Sequence, residues 1–197
     1  MQIAVPDALY IPVVLGSIRR NRRSHNAARV LVERIEAAGQ RTSLIDLREW
    51  RLPLYDEEDE TENHETVRAF RDVMARSDAA VWLSPEYNHA YTSAIKNAID
   101  YLRTEIRHKA VAVCGLSGGA MGGVRAVEQL KLVLIELHAV PIRGSVYFSD
   151  ARTLFDQDGS LLHPEVARRT DDVIAELIWY AQVLKWGRAN LPIPERR

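Results

Sequence analysis

Apolar positions along this chain follow two rhythms. Short continuous runs, LYIPVVL (9–15), AAVWLS (79–84), KAVAVCGL (109–116) and, less cleanly, AVPIRGSVYF (139–148), are bounded by turn-forming residues, and RTSLIDL (41–47) makes a fifth. A strand covered on both faces has no reason to alternate, so these runs predict buried strands. Pro12 and Pro141 lack the amide that a central strand donates, which places them near a strand start or a sheet edge.

Between the runs the period becomes helical. Ala27, Ala28, Leu31 and Ile35 share one face, and Val67, Phe70, Val73 and Met74 share another after the candidate caps Thr61 and Asn63. Thr92 precedes a stripe of Ala94, Ile95, Ala98, Ile99 and Leu102, with Lys96 and Asp100 one turn apart. Ala126, Val127, Leu130, Val133, Leu134 and Leu137 form the cleanest stripe. The last helix opens at HPEV, where Pro164 suits the first turn, and turns Val173, Ile174, Leu177, Ile178, Ala181 and Leu184 to one side.

Strands alternating with helices imply parallel pairing through right-handed crossovers. The expected fold class is therefore α/β: a doubly wound, five-stranded parallel sheet in the flavodoxin-like order 2-1-3-4-5, with helices on both faces. Ligands of such sheets sit beyond the carboxyl ends of the strands, where the strand order reverses. That rule directs attention to the loops after strands one, three and four.

Composition narrows the picture. No Pro-, Ser- or Gly-rich linker and no repeat divides the 197 residues, so residues 1–197 read as one domain. With 26 Lys+Arg against 27 Asp+Glu, the net charge of -1 argues against bulk attraction to nucleic acid or membrane, while permitting a local basic patch. Cys114 is the only cysteine, which excludes an intrachain disulfide and a thiolate metal cage. The apolar opening follows Asp7 and runs into GSIRR without a cleavage-like site, so the expected location is cytoplasmic.

The first of the three loops is GSIRRNRRS (16–24), leading into a helix whose positive end and free amides favour an anion. Ser17 and Ser24 offer hydroxyls, Arg19 a planar fork for phosphate oxygens, and Arg22 or Arg23 a second charge. Neither GxGxxG nor GxxxxGK[ST] occurs, so the chemistry fits a terminal phosphate better than a pyrophosphate or a nucleoside triphosphate. A plain solvated turn is the competing reading. The second loop, SPEYNHAYTSAIKNAID (84–100), holds Pro85, a stackable Tyr87, the amides of Glu86, Tyr87 and Asn88, and an Asn88 side chain that both donates and accepts. Its alternative is a rigid turn that starts a helix. The third, GLSGGAMGG (115–123), lets a backbone approach a flat ligand or simply bend. Ala120 stands where a phosphatase-like pattern would need arginine, so Cys114 reads as buried filling. The six histidines show no metal spacing, and no metal site is expected.

GSIRRNRRS resembles the GSxRxxRxS phosphate loop of the NAD(P)H-dependent FMN reductases. SPEYNHAYTSAIKNAIDYL is similar to that family's PEYNxxxxxxLKNAIDxL segment, and SGGAMGGVRAVEQLKLVLIELHAVPI to its third loop and following helix. The resemblance implies non-covalent FMN, NADPH or NADH as donor, small-molecule substrates, and a homodimer or homotetramer. Carried onto this chain, it implies that Ser17, Arg19 and Ser24, with Arg22 as a lesser contributor, hold the phosphate. Pro85, Glu86, Tyr87 and Asn88 would line the isoalloxazine, and Ser117, Gly118 and Gly119 its other edge. Thr92 and Ile95 depart from the usual proline and leucine. With a flavin supplying the redox chemistry, no catalytic acid or base is obligatory.

The implied activity is transfer of hydride or electrons from a nicotinamide, through FMN, to quinone, flavin, azo or metal-oxyanion acceptors. The alternative is a flavodoxin-like electron carrier or redox sensor without nicotinamide turnover. LREWRLPLYDEEDE (47–60) stands apart: its apolar half suits packing near the flavin or a partner subunit, or a single anchor for a surface connection, and its acidic half suits solvent.

Overall fold

The computed structural model describes residues 8–193. Strands β1 (Val13–Leu15), β2 (Leu44–Asp46), β3 (Ala79–Pro85), β4 (Ala110–Leu116), β5 (Val140–Pro141) and β6 (Tyr147–Phe148) alternate with helices α1 (Ser24–Ala37), α2 (Leu47–Trp50), α3 (Asp59–Glu62), α4 (Glu65–Arg76), α5 (Ser93–Asp100), α6 (Val124–Glu136) and α7 (Pro164–Asn190). All pairings are parallel, in the order β2-β1-β3-β4-β5, as the sequence predicts. Pro12 lies just before β1 and Pro141 on the edge strand, where a missing amide costs no central ladder bond.

Successive residues of a strand point to opposite faces, so one apolar run feeds two cores. Val13, Leu15, Val81, Leu83, Ala112 and Cys114 pack under α1 and α7. Val14, Trp82, Val111 and Val113 pack under α4, α5 and α6. Each fully buried Leu, Ile or Phe adds on the order of 2 kcal/mol of transfer free energy.

The fifth predicted strand is not continuous. Ala110 and Val111 pair with Val140 and Pro141, whereas Gly115 and Leu116 pair with Tyr147 and Phe148, so the outer segment carries two more residues than β4 between the contacts. The excess bulges towards α7, where the Gly144 amide donates to Glu176 Oε2 at 3.1 Å. The cap of α4 also differs from expectation. His64 is the capping residue, its Nδ1 accepting from the Thr66 amide, while Thr61 turns back to Asp56. Thr92 does cap α5, accepting from the Ile95 amide, and Lys96 pairs with Asp100 at 2.5 Å.

Candidate functional site

Beyond Leu15 the chain leaves the sheet at Gly16, whose amide donates to Leu83 O (2.9 Å) and whose carbonyl accepts from the Thr92 hydroxyl (2.7 Å). A β-carbon there would lie 2.2 Å from Ile95 Cδ1, so any side chain at this turn would displace the buried Ile95. The hydroxyl of buried Ser17 meets that of Tyr87 at 3.0 Å, and the Arg19 guanidinium lies over the Tyr87 ring, 5.7 Å from its centroid. Ser24 opens α1, is 1% exposed, and its hydroxyl has no hydrogen-bond partner among the described residues. No side chain caps this helix and no acidic residue occupies its first turn; the Asn26 amide turns back to Arg23 O (3.1 Å), which leaves the Ser24 and His25 amides and the positive end for an anion.

After β3, Tyr87 and Ala90 exchange two backbone bonds (3.0 and 3.1 Å) around Asn88 and His89, whose φ angles of 51° and 67° make a type I′ turn. The Glu86 amide donates to Leu116 O at 3.0 Å and the Tyr87 amide to Ala90 O, so neither is open to a ligand. The Glu86 carboxylate accepts from the Arg125 amide (3.1 Å) and guanidinium (3.0 Å). Burial pushes the Glu86 carboxyl up, but hydrogen bonds from Arg125 and Ala126 and the Arg125 charge hold it below its ordinary value. It is therefore a fixed anion at neutral pH.

The third loop is closed by Ser117, whose hydroxyl donates to Gly119 O at 2.8 Å. It is braced against the segment after β6: Ser117 N donates to Phe148 O, Ala151 N to Ser117 O and Asp150 N to Gly119 O, at 3.0–3.2 Å.

These loops enclose a cleft of about 300 Å³ lined by Ser17, Arg19, Arg22, Ser24, Pro85, Glu86, Tyr87, Ser117 and Gly118. Nine of the eleven residues expected at a site thus converge. Asn88, at the exposed turn tip, and Gly119 lie outside the lining. Arg22 lines the cleft, yet its guanidinium donates to Asp46 Oδ2 and Ser17 O. Arg23 joins the lining, together with Asn21, Leu116, Ala151 and Arg152, which sequence reasoning missed. Ala151 and Arg152 follow the last strand at the same carboxyl edge, so the loop rule applied to that strand would have found them.

Arg19, Arg23 and Arg152 have no carboxylate partner among the described residues. Three guanidiniums, an orphaned buried hydroxyl and a bare helix start match a phosphate monoester, which carries about two negative charges at neutral pH. A second, more apolar hollow of about 400 Å³ lies across the same loop, between Ile18, Leu47, Leu52, Leu54 and Ala94. Arg48 and Arg51 also line it, but the helix starts beside it, α2 and α5, are capped by Asp46 and Thr92, so it offers no bare helix start to an anion. Cys114 is fully buried in β4, and burial pushes its thiol up to about 12, which removes it as a nucleophile. No group of three or more metal-ligating side chains occurs among the described residues.

An arginine-rimmed cleft at the switch point of a flavodoxin-like sheet, with an aromatic wall and a backbone floor beside it, has the chemistry that fits a flavin mononucleotide. The chain belongs to the NADPH-dependent FMN reductase family, which matches residues 9–153. An NADPH azoreductase of Bacillus sp. (strain OY1-2) is 31% identical over 182 residues, spanning 92% of this chain and 97% of the relative. A quinone reductase of Pseudomonas putida is 33% identical over 159 residues, 77% and 83% of the two chains. Among solved structures, FerB, a flavoenzyme NAD(P)H:(acceptor) oxidoreductase from Paracoccus denitrificans, matches with a TM-score of 0.78 at 26% identity over 89% of this chain and 98% of that one. The protein is accordingly an FMN-dependent oxidoreductase with NAD(P)H as donor. No helix among the described residues is long and apolar enough to cross a membrane.

Proposed function

We propose that this chain takes reducing equivalents from NADPH or NADH and delivers them to small flat or anionic acceptors, of the quinone, azo, free-flavin or metal-oxyanion type. It does so as a single flavin-binding domain that assembles into a homodimer or homotetramer in the cytoplasm. The observation that carries the reading is the unpartnered Ser24 hydroxyl, buried in an arginine-rimmed cleft at the head of α1. Bound FMN supplies the hydride and single-electron chemistry.

The protein's own residues bind and orient. Ser24, Ser17, Arg19 and the first amides of α1 hold the phosphate. Tyr87 and Pro85 wall one side of the ring site, and Ser117 and Gly118 the other. Glu86, the only carboxylate in the lining, is locked to Arg125 and moves no proton. The basic rim raises the local concentration of an anionic nicotinamide nucleotide, whereas a carrier that docks on a protein partner would favour an acidic face.

Anaerobic mixing of the FMN-loaded protein with NADPH or NADH tests this reading. Rapid bleaching of the flavin band, reversed by a quinone, is the expected result. A loaded protein that neither nucleotide bleaches would be a carrier or a sensor.

A further inference from the structure

Of the four arginines lining the cleft, one differs from the rest. Arg19 and Arg23 are exposed, as is Arg152, but the Arg22 side chain is only 8% exposed and points inward. One terminal nitrogen donates to the carbonyl of Ser17 and the other to Oδ2 of Asp46. Asp46 is the last residue of β2 and lies level with Leu15, the last residue of β1. Its second oxygen, Oδ1, accepts the Arg48 amide at 3.0 Å and so caps α2. Arg22 thus ties the middle of the phosphate loop to the end of the neighbouring strand.

We infer that Arg22 and Asp46 form a positioning clamp for the phosphate loop, and that Arg22 is not itself a phosphate ligand. This rests on the assignment of the cleft to FMN. The pair is close to neutral, so Arg22 adds little net attraction for an anion, and one N–H on each terminal nitrogen, two of its five donors, is already committed to Ser17 and Asp46. By holding the Ser17 carbonyl, Arg22 keeps a negative dipole turned away from the cradle, while the Ser17 hydroxyl stays beside Tyr87. The geometry suits a guanidinium alone. A planar fork bridges a carbonyl and a carboxylate at once, which the single point charge of lysine cannot reproduce in the same place.

The two roles predict opposite effects at Asp46. If Arg22 gripped phosphate, Asp46→Asn would release it for that task and FMN would bind as well or better. A clamp without its anchor slackens, and the loss of a charge-assisted bond predicts FMN binding weaker by roughly tenfold or more. Riboflavin, which has no phosphate for the loop to hold, keeps its affinity. Dissociation constants for FMN and riboflavin, from quenching of flavin fluorescence on the apoprotein, therefore decide the matter for Asp46→Asn, Arg22→Lys and Arg22→Met.

The clamp predicts that all three variants lower the FMN-to-riboflavin preference and that Lys fails to rescue. Unchanged or tighter FMN binding by Asp46→Asn overturns it, as does near-complete rescue by Lys. Should Asp46→Asn not fold, judged by circular dichroism, the comparison of Arg22→Lys with Arg22→Met decides alone. Wild-type protein with no preference for FMN over riboflavin would overturn the cofactor assignment itself, and the clamp with it.

Discussion

Replacing Ser24 by alanine should move stability and affinity in opposite directions. The hydroxyl is buried at the first position of α1 and has no hydrogen-bond partner among the described residues. Removing it relieves a desolvated polar group and removes no protein–protein bond, so the apoprotein should be unchanged or more stable by up to about 1 kcal/mol. For a chain of this length that corresponds to a rise in Tm of roughly 2–4 °C at most. The same hydroxyl is assigned to a dianionic phosphate, and a hydrogen bond to a charged group is worth about 1.5–3 kcal/mol, or roughly 10- to 150-fold in affinity. Thermal unfolding of the apoprotein by circular dichroism and FMN titration by fluorescence quenching give the two numbers separately. FMN affinity within twofold of wild type would falsify the assignment of Ser24, and a clearly less stable apoprotein would show that its hydroxyl has a structural partner.

Arg19→Ala should weaken FMN retention while leaving the circular dichroism spectrum unaltered, because the side chain is exposed and lies over the Tyr87 ring without a carboxylate partner among the described residues; retained FMN after gel filtration is the readout. Gly16→Ala drives a methyl into Ile95 and should cost about 1–3 kcal/mol, seen as a lower denaturant midpoint. Thr92→Val removes both the α5 cap and the bond to Gly16 O, a loss of about 1–2 kcal/mol that Thr92→Ser should largely restore. Burial raises the Cys114 thiol from 9.0 to about 12, so above pH 9 the unfolded chain binds fewer protons than the native one and stability falls with rising pH. Cys114→Ala should therefore lose less stability than wild type between pH 9 and pH 12; parallel slopes in urea melts would refute this.

The sheet order was legible because each buried strand is a continuous apolar run whose alternate residues serve two cores, as Val13 and Val14 do. The break in the fifth strand had a signal that went unread: Arg143, Gly144 and Ser145 interrupt AVPIRGSVYF between the two paired segments, where the Gly144 amide donates to Glu176 of α7. The cap of α4 was hidden: threonine and asparagine are the commoner caps, yet the short α3 holds Thr61 to Asp56 and leaves the task to His64.

At the site, the convergence of the three loops followed from topology. The part played by each residue did not. Arg22 and Arg19 look alike in GSIRRNRRS, and only the proximity of Asp46, 24 positions away, distinguishes them. The amides of Glu86 and Tyr87 looked available until the type I′ turn at Asn88 and His89 and the bond to Leu116 used them. The apolar half of segment 47–60 found anchors in Trp50 against Phe70 and Tyr55 against Tyr101, while Leu54 stays 80% exposed. Asp56, Glu57, Glu58 and Glu60 lie in solvent.

The most direct test of the central claim is a crystal structure of the protein grown with FMN. The phosphate should lie within about 2.7–3.2 Å of the Ser24 hydroxyl and the leading amides of α1, with the ring between Tyr87 and the Ser117–Gly118 backbone. A flavin seated instead in the hollow between Ile18 and Leu52, with its phosphate away from α1, would contradict the account.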